Sequence, residues 1–388
     1  MATFAKGLEG VTAAETRMSF IDGEKGILEY VGIPIDDLAR NSTFEETVFL
    51  LWNCRLPTKG ELADFTQQLR SRYALPAGMK ERILSVPKNA QPMHMLRTMV
   101  SALSMHDPDP NSVEVHKVRE KALNVLAQVP AIIAMFDRNR RGLPLVDPDP
   151  KLTFAENFLY MLNGVKPSPA VARAFDICMI LHADHGLNNS TFSSRVVIST
   201  LSDTYSALTA AIGSLRGPLH GGANEEVMEM LFEIEDIAKK EGKDVMSIIE
   251  PFIMDKLARR HEGARIMGFG HRVYKTIDPR ATFLKTFAKQ IATDTGNLEL
   301  YEISSRIEQI MAREVGAKGI YPNVDFYSAT TYHSIGLKLD LFTPMFAMSR
   351  VSGWAGHVIE QLSDNRLYRP KAEYVGPHAA PYIPIDKR

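Results

Sequence analysis

The sequence predicts a mainly α-helical fold, and three observations carry that expectation. Apolar residues recur at helical spacing through most of the 388 residues. A capping residue followed by proline marks the start of several such runs, and alternating strand-type runs are scarce. The segment "KGILEYVGI" (25–33) is the best candidate for a short hairpin. In "PMHMLRTMVSALSMH" the set Leu96, Met99, Val100 and Leu103 follows the i, i+3, i+4, i+7 rule. "VREKALNVLAQVPAIIAMF" (118–136) continues the pattern, with Pro130 as a kink. "SPAVARAFDICMILHADHG" opens on the cap and first-turn pair Ser168 and Pro169, and "DPRATFLKTFAKQIA" on Asp278 and Pro279. "YEISSRIEQIMAREVG" and "TPMFAMSRVSGWAGHVIEQL" also read as helices. The proline-rich stretches 106–112 and 141–151 read as surface turns.

Composition narrows the function classes. With 45% hydrophobic residues the chain can bury a large core in one or two domains. Lys plus Arg is 45 and Asp plus Glu is 46, so no global field favours nucleic acid, and an anionic ligand must meet local cations. The two cysteines, Cys54 and Cys178, make no disulfide framework and suit a reducing compartment. The start "MATFAKGLEGVTAAE" has no signal-peptide character, and no apolar run approaches the roughly 20 residues that span a bilayer. A soluble cytoplasmic protein without membrane contact is expected.

Candidate chemistry lies in separate segments. In "SLRGPLHGGANEE" (214–226), His220 sits among glycines just before a helix-forming run from Asn224. The positive helix end lowers a histidine pKa, and a neutral imidazole can donate to a developing enolate oxygen. The flanking glycines let a ligand approach the backbone. The alternative is an ordinary turn histidine. His271 lies in "RIMGFGHRVYKTIDPRA", a glycine loop with Arg272 and Lys275 that suits an anion but lacks the Walker and dinucleotide signatures. "LHADHGLNNS" sets His182 and His185 three apart, either a metal pair or a helix end with one histidine hydrogen-bonded in the core. Asp325 in "YPNVDFYSATTYHS" is a helix cap or, in a dry cleft, a carboxylate held for proton abstraction. Arg350 lies inside an apolar helical run with no acid at i±3 or i±4, so an anionic ligand is its expected partner. Arg369 sits in a proline-bearing tail that can reach a neighbouring subunit. Glycines around 217–222, 263–270 and 353–356 are candidate hinges or points of close backbone approach.

Five ordered motifs, "LHADHGLNNSTFSSR", "GSLRGPLHGGANEEV", "GFGHRVYKTIDPRA", "NVDFYSA" and "SRVSGWAGHVIEQ", resemble the citrate synthase family, and the likeness runs from "GLEGV" to "RPKAEYVGP". The resemblance implies a helical two-domain fold: a large domain from 1–219 and 330–388, with a small domain, 220–329, inserted between. It implies condensation of acetyl-CoA with oxaloacetate and hydrolysis of citryl-CoA, with no cofactor and no metal. It gives His220, His271 and Asp325 catalytic roles. His185, Arg280, Arg350 and Arg369 become oxaloacetate ligands, with Arg369 entering from the other subunit of a homodimer. Ala264, Arg265, Ile266, Met267 and Gly268 wrap the CoA adenine, and Arg272 and Lys275 serve its phosphates. The length is similar to that of the shorter dimeric form. Gly186 departs from the acidic residue the family commonly places after "HADH". Methylcitrate synthase, using propionyl-CoA, is the near alternative. A metal hydrolase built on His182, Asp184, His185 and His220 and a non-catalytic CoA-binding scaffold are the distant ones.

Overall fold

A computed structural model describes residues 4–388. An N-terminal antiparallel sheet of three short strands precedes the helices. β1 (Ser19–Asp22) pairs with β2 (Ile27–Tyr30), and β2 with β3 (Ile33–Pro34), in the register Ser19 to Tyr30 and Glu29 to Pro34. The expected hairpin is β2–β3. Its partner β1 lacks a clean alternation and is found only through pairing.

Sixteen helices follow: α1 (Ile35–Asn41), α2 (Phe44–Asn53), α3 (Lys59–Arg70), α4 (Met79–Ser85), α5 (Pro92–Leu103), α6 (Val115–Arg140), α7 (Phe154–Asn163), α8 (Pro169–His182), α9 (Asn189–Ser199), α10 (Thr204–Leu215), α11 (Ala223–Glu241), α12 (Val245–Ala258), α13 (Pro279–Thr295), α14 (Leu298–Val315), α15 (Val324–Ser334) and α16 (Phe342–Ser363). Local chemistry sets many of their ends. Ser168 accepts from Val171 N–H with Pro169 in the first turn, and Asp278 accepts from Arg280 N–H with Pro279 next to it. Thr58 and Thr153 form capping boxes with Glu61 and Glu156. Glycines in left-handed conformation close α7, α11 and α13. Pro130 sits inside the continuous α6.

The core centres on α6 and α16. Along α6, residues 125–138 are buried, and α16 is buried from Phe342 to Val358. α16 packs against α2, α6, α8, α9 and α10. Close approach depends on two glycines: a Cβ at Gly353 would lie 2.4 Å from Ala183 O, and one at Gly356 would lie 2.5 Å from Met18 Cε. The "353–356" glycines are therefore points of tight packing. The helices α11 to α15 pack mainly on one another, touching the rest through α8, α1 and α16. No helix among the described residues is long and apolar enough to cross a membrane.

Candidate active site

Six of the expected residues converge from six segments. His185 follows the end of α8, His220 lies in the turn between α10 and α11, and His271 lies in the loop before α13. Arg280, Asp325 and Arg350 are carried by α13, α15 and α16. The rings of His185 and His271 are 5.3 Å apart. Arg350 and Arg280 act electrostatically on His185, and Arg350 on both His220 and Asp325.

Two of the three imidazoles, His220 and His271, have their proton position set by fixed backbone donors. Ser190 N–H points at His220 Nε2 at 3.3 Å, and Ser190 Oγ lies 2.8 Å from the same nitrogen. A backbone N–H only donates, so Nε2 accepts and Nδ1 carries the proton. In His271, Nδ1 accepts from Val273 N–H at 2.9 Å and Tyr274 N–H at 3.2 Å, which leaves the proton on Nε2. His185 Nε2 pairs with Tyr274 Oη at 3.1 Å. Both His220 and His271 are neutral at pH 7. Burial, then Arg350 and Arg272, lowers His220 to about 4, and burial, then Arg280, lowers His271 to about 4. His185 lies well below the usual value for the same reasons. Burial is the largest cause that holds His220 neutral, and α11 begins at Ala223, one residue nearer to the ring than the expected start at Asn224.

The two glycines after His220 differ from each other. A Cβ at Gly221 would lie 2.2 Å from Leu215 O, while one at Gly222 would meet nothing closer than 4.0 Å. Gly221 is required by the chain's own packing against the end of α10, whereas the space beside Gly222 is open. The turn is closed by His220 N–H to Gly217 O at 2.8 Å.

Asp325 is not the cap of its helix. Asn323 caps α15, its Oδ1 accepting from Asp325 N–H at 3.0 Å, and its Nδ2 donates to Gly270 O at 3.1 Å. One amide therefore ties the acid's helix to the residue before His271, a role that sequence reasoning missed. The Asx pattern "N-V-D" was its only signal. Burial raises the Asp325 carboxyl to about 6, so it is mostly ionised at pH 7 yet a stronger base than an exposed aspartate.

The two buried arginines differ. Arg280 is held by Asp278 in a fork, Nε to Oδ1 at 3.0 Å and Nη2 to Oδ2 at 2.7 Å. Burial opposes its charge, and Asp278 outweighs that, leaving the pKa raised. Arg350 is 2% exposed and has no carboxylate within salt-bridge distance. Its Nε donates to His182 O at 2.6 Å and its guanidinium lies 4.6 Å from the centre of the Phe346 ring. Burial lowers it to about 10, so at pH 7 it remains a buried cation in need of an anion.

Gly186 has φ +54, and its N–H donates to Asp184 Oδ2 at 3.0 Å. A Cβ there would lie 3.3 Å from Ile21 Cδ1 of β1, a tight contact with a flexible tip, so the left-handed backbone more than lack of space favours glycine at this position. Asp184 is itself buried, accepts from the Ser19 hydroxyl, and faces His357 Nε2 at 3.3 Å. His182 belongs to the packed interior, its Nδ1 on Cys178 O at 2.7 Å and its ring against Phe346. The imidazole nitrogens of a His182–His185–His220 metal site thus point to different partners. Among the described residues no group of three His, Cys, Asp or Glu side chains is arranged to hold a metal ion.

Beside His220 lies a cleft of about 600 Å³. Ala264, Arg265, Ile266, Met267, Gly268 and Arg272 line it, as do Lys256 and Arg260 of the preceding helix region, which the sequence reading did not single out. Lys275 does not line this cleft. Its backbone N–H donates to Gly23 O at 2.9 Å, clasping the β1–β2 turn to the His271 loop. Arg369 is also apart from the cluster within this chain. It is exposed, donates to Pro370 O, and borders a separate cavity between the N-terminal segment and the end of α16.

Residues 7–371 match the family model described as citrate synthase, C-terminal domain. The chain belongs to the citrate synthase family. It is 48% identical to citrate synthase 2 of Bacillus subtilis, with both chains covered in full. It also superposes on citrate synthase from Thermoplasma acidophilum, solved as a ternary complex with carboxymethyl coenzyme A and oxaloacetate, at a TM-score of 0.92 and 35% identity, with 100% of each chain covered. A 2-methylcitrate synthase of Mycobacterium tuberculosis is 41% identical over 96% of this chain and 90% of its own. The expected helical citrate synthase fold and enzyme class hold. The propionyl-CoA alternative stands at greater distance.

Proposed function

We propose that the chain condenses acetyl-CoA with oxaloacetate and hydrolyses citryl-CoA, with His220, His271 and Asp325 as the reacting groups. The observation that carries this reading is the pairing of two neutral, direction-fixed imidazoles with a carboxylate of pKa about 6, above a buried arginine without an anion. Asp325 takes a proton from the acetyl methyl group while His220 Nδ1–H donates to the thioester oxygen, forming an enol or enolate. His271 Nε2–H donates to the ketone oxygen of oxaloacetate, whose carbonyl carbon the new carbon nucleophile attacks. The resulting thioester, citryl-CoA, is cleaved by water to citrate and CoA. Each imidazole donor aimed at a developing oxyanion is worth about 10²–10³ in rate.

Arg350 and the free edge of Arg280 bind the oxaloacetate carboxylates, with His185 beside them. The cleft at 264–272 takes CoA, its phosphates met by Arg272, Arg265, Lys256 and Arg260. Arg369 completes the site from a second copy of the chain, because within one chain it lies on an exposed arm. Residues 220–329 close as a smaller domain over the larger one and exclude water. The enzyme works in the cytoplasm, where its two free thiols stay reduced. The deciding experiment is a thiol-release assay with oxaloacetate and either acetyl- or propionyl-CoA, with the product identified. A higher kcat/KM for acetyl-CoA is expected, and a clear preference for propionyl-CoA would move the assignment to methylcitrate synthase. Asp325→Asn keeping full turnover would remove Asp325 from the role of base, and a chain that binds CoA but releases no thiol would be a non-catalytic scaffold.

A further inference from the structure

We infer that Gly23 is a positioning residue for the condensation: the β1–β2 hairpin braces the loop of His271 against the loop of His185, and only glycine at its tip lets the two meet. The inference rests on the roles proposed for His185 and His271.

The two ends of the hairpin hold different loops. At the stem, the Ser19 hydroxyl donates to the Asp184 carboxylate. The buried Tyr30 hydroxyl accepts from Asp184 N–H at 3.1 Å and lies 2.8 Å from Asp184 O. Asp184 immediately precedes His185. At the tip, Gly23 O accepts from Lys275 N–H at 2.9 Å. A Cβ at Gly23 would lie 2.2 Å from Val273 O and 2.8 Å from Val273 C. Gly26, at φ +67, comes equally close, since a Cβ there would lie 2.9 Å from Ile277 O. The tip is held in shape by Asp22, whose Oδ1 accepts from Glu24 N–H at 3.1 Å and Lys25 N–H at 3.0 Å. It therefore meets residues 273–277 backbone to backbone, and a carbonyl cannot swing aside as a side-chain tip can.

The segment that the tip meets also fixes two imidazoles. Val273 and Tyr274 donate their N–H groups to His271 Nδ1, and Tyr274 carries the hydroxyl that pairs with His185 Nε2. Val273 O and Lys275 N–H are the contacts of the same segment with Gly23. A methyl group at Gly23 displaces Val273 by roughly 1 Å, and with it the donors on His271. A misplacement of about 1 Å at a reacting group costs up to about 10²-fold in rate.

The test is Gly23→Ala, with Gly32→Ala as its control. Gly32 lies in the β2–β3 turn at φ +78, where a Cβ meets nothing within 4 Å. Alanine there strains the same sheet without touching the His271 loop. We expect kcat to fall about 10- to 100-fold in Gly23→Ala and to stay at the wild-type value in Gly32→Ala, although both lower Tm. The ¹⁵N resonances of His271, identified by their loss in His271→Ala, should move in Gly23→Ala alone. An unchanged kcat or unmoved His271 resonances in folded Gly23→Ala would overturn the inference, as would an equal loss of kcat in both glycine variants. Should Gly23→Ala not fold, hydrogen exchange of the wild type bound to oxaloacetate decides. The Lys275 amide should exchange slowly, as a bonded N–H does, and exchange at the rate of a free loop amide would remove the brace. Full activity in His271→Ala would instead strike the role of His271 itself, whatever Gly23→Ala does.

Discussion

The charged groups of the site ride on helices, whereas its imidazoles sit in loops, and the two sets are controlled differently. Arg350, Arg280 and Asp325 are fixed by the packing of α16, α13 and α15, and burial sets how hard each holds its charge. His220 is held by Ser190 and its N–H in the first turn of α9, His271 by two backbone N–H groups of its own loop, and His185 by the Tyr274 hydroxyl. Helices place charge. Main-chain N–H groups that face the loop imidazoles place the protons of His220 and His271. A proton-transfer site needs both, because a buried charge without directed donors binds but does not polarise.

The largest break in this comparison is expected from Asp325→Asn, which keeps the helix and the Asn323 cap but removes the base. Turnover should fall about 10²–10⁴-fold, with oxaloacetate binding by calorimetry retained. Next in size, His271→Ala should lower kcat about 10²–10³-fold; a loss confined to KM would mean that the loop imidazole only binds. Two glycines then test the halves against each other. Gly221→Ala pushes a Cβ toward Leu215 O and displaces the His220 turn, so activity should fall with modest loss of Tm. Gly353→Ala wedges α16 from Ala183, so stability should fall by about 1–3 kcal/mol, read from denaturant unfolding. Equal effects of both glycines on both readouts would erase the distinction between loop and helix.

The pH profile sharpens the same contrast. With Asp325 raised to about 6, kcat/KM should fall as pH drops through about 6, and protonation of the two histidines should add a steeper loss near 4. The signs for stability are opposite to one another. The raised carboxyl stabilises the fold when protonated, and that contribution is lost as pH rises from about 4 toward about 6. The depressed histidines stabilise the fold when neutral, and that contribution is lost as pH falls from the ordinary histidine range toward about 4. The smallest effect is expected at the cleft rim, where Lys256→Gln should raise KM for the acyl-CoA about two- to threefold at low salt, since this half-buried cation is already paired with Glu233 at 3.2 Å and a solvent-screened charge contributes ~1 kcal/mol or less.

Much of the helical scaffold was legible residue by residue. Ser168–Pro169 and Asp278–Pro279 start helices because a capping oxygen and a fixed φ act within one turn, and Leu96, Met99, Val100 and Leu103 share a buried face because the period is local. Arg350 stood out for a similarly local reason: an arginine in an apolar run with no acid in reach. Strand β1, Asn323 and the Gly23–Lys275 clasp did not stand out. Each acts through a partner distant in the chain, such as Tyr30, Gly270 or the His271 loop.

The sequence alone determined the helical class, the helix starts, and the chemical types available for binding an anion and moving a proton, because these follow from spacing and side-chain chemistry. Tertiary structure decided which nitrogen of His220 and of His271 carries the proton, that burial keeps both rings neutral, and that Gly221 packs against the chain's own backbone. Those depend on which buried donors and carbonyls arrive from elsewhere, and no local pattern encodes that arrival.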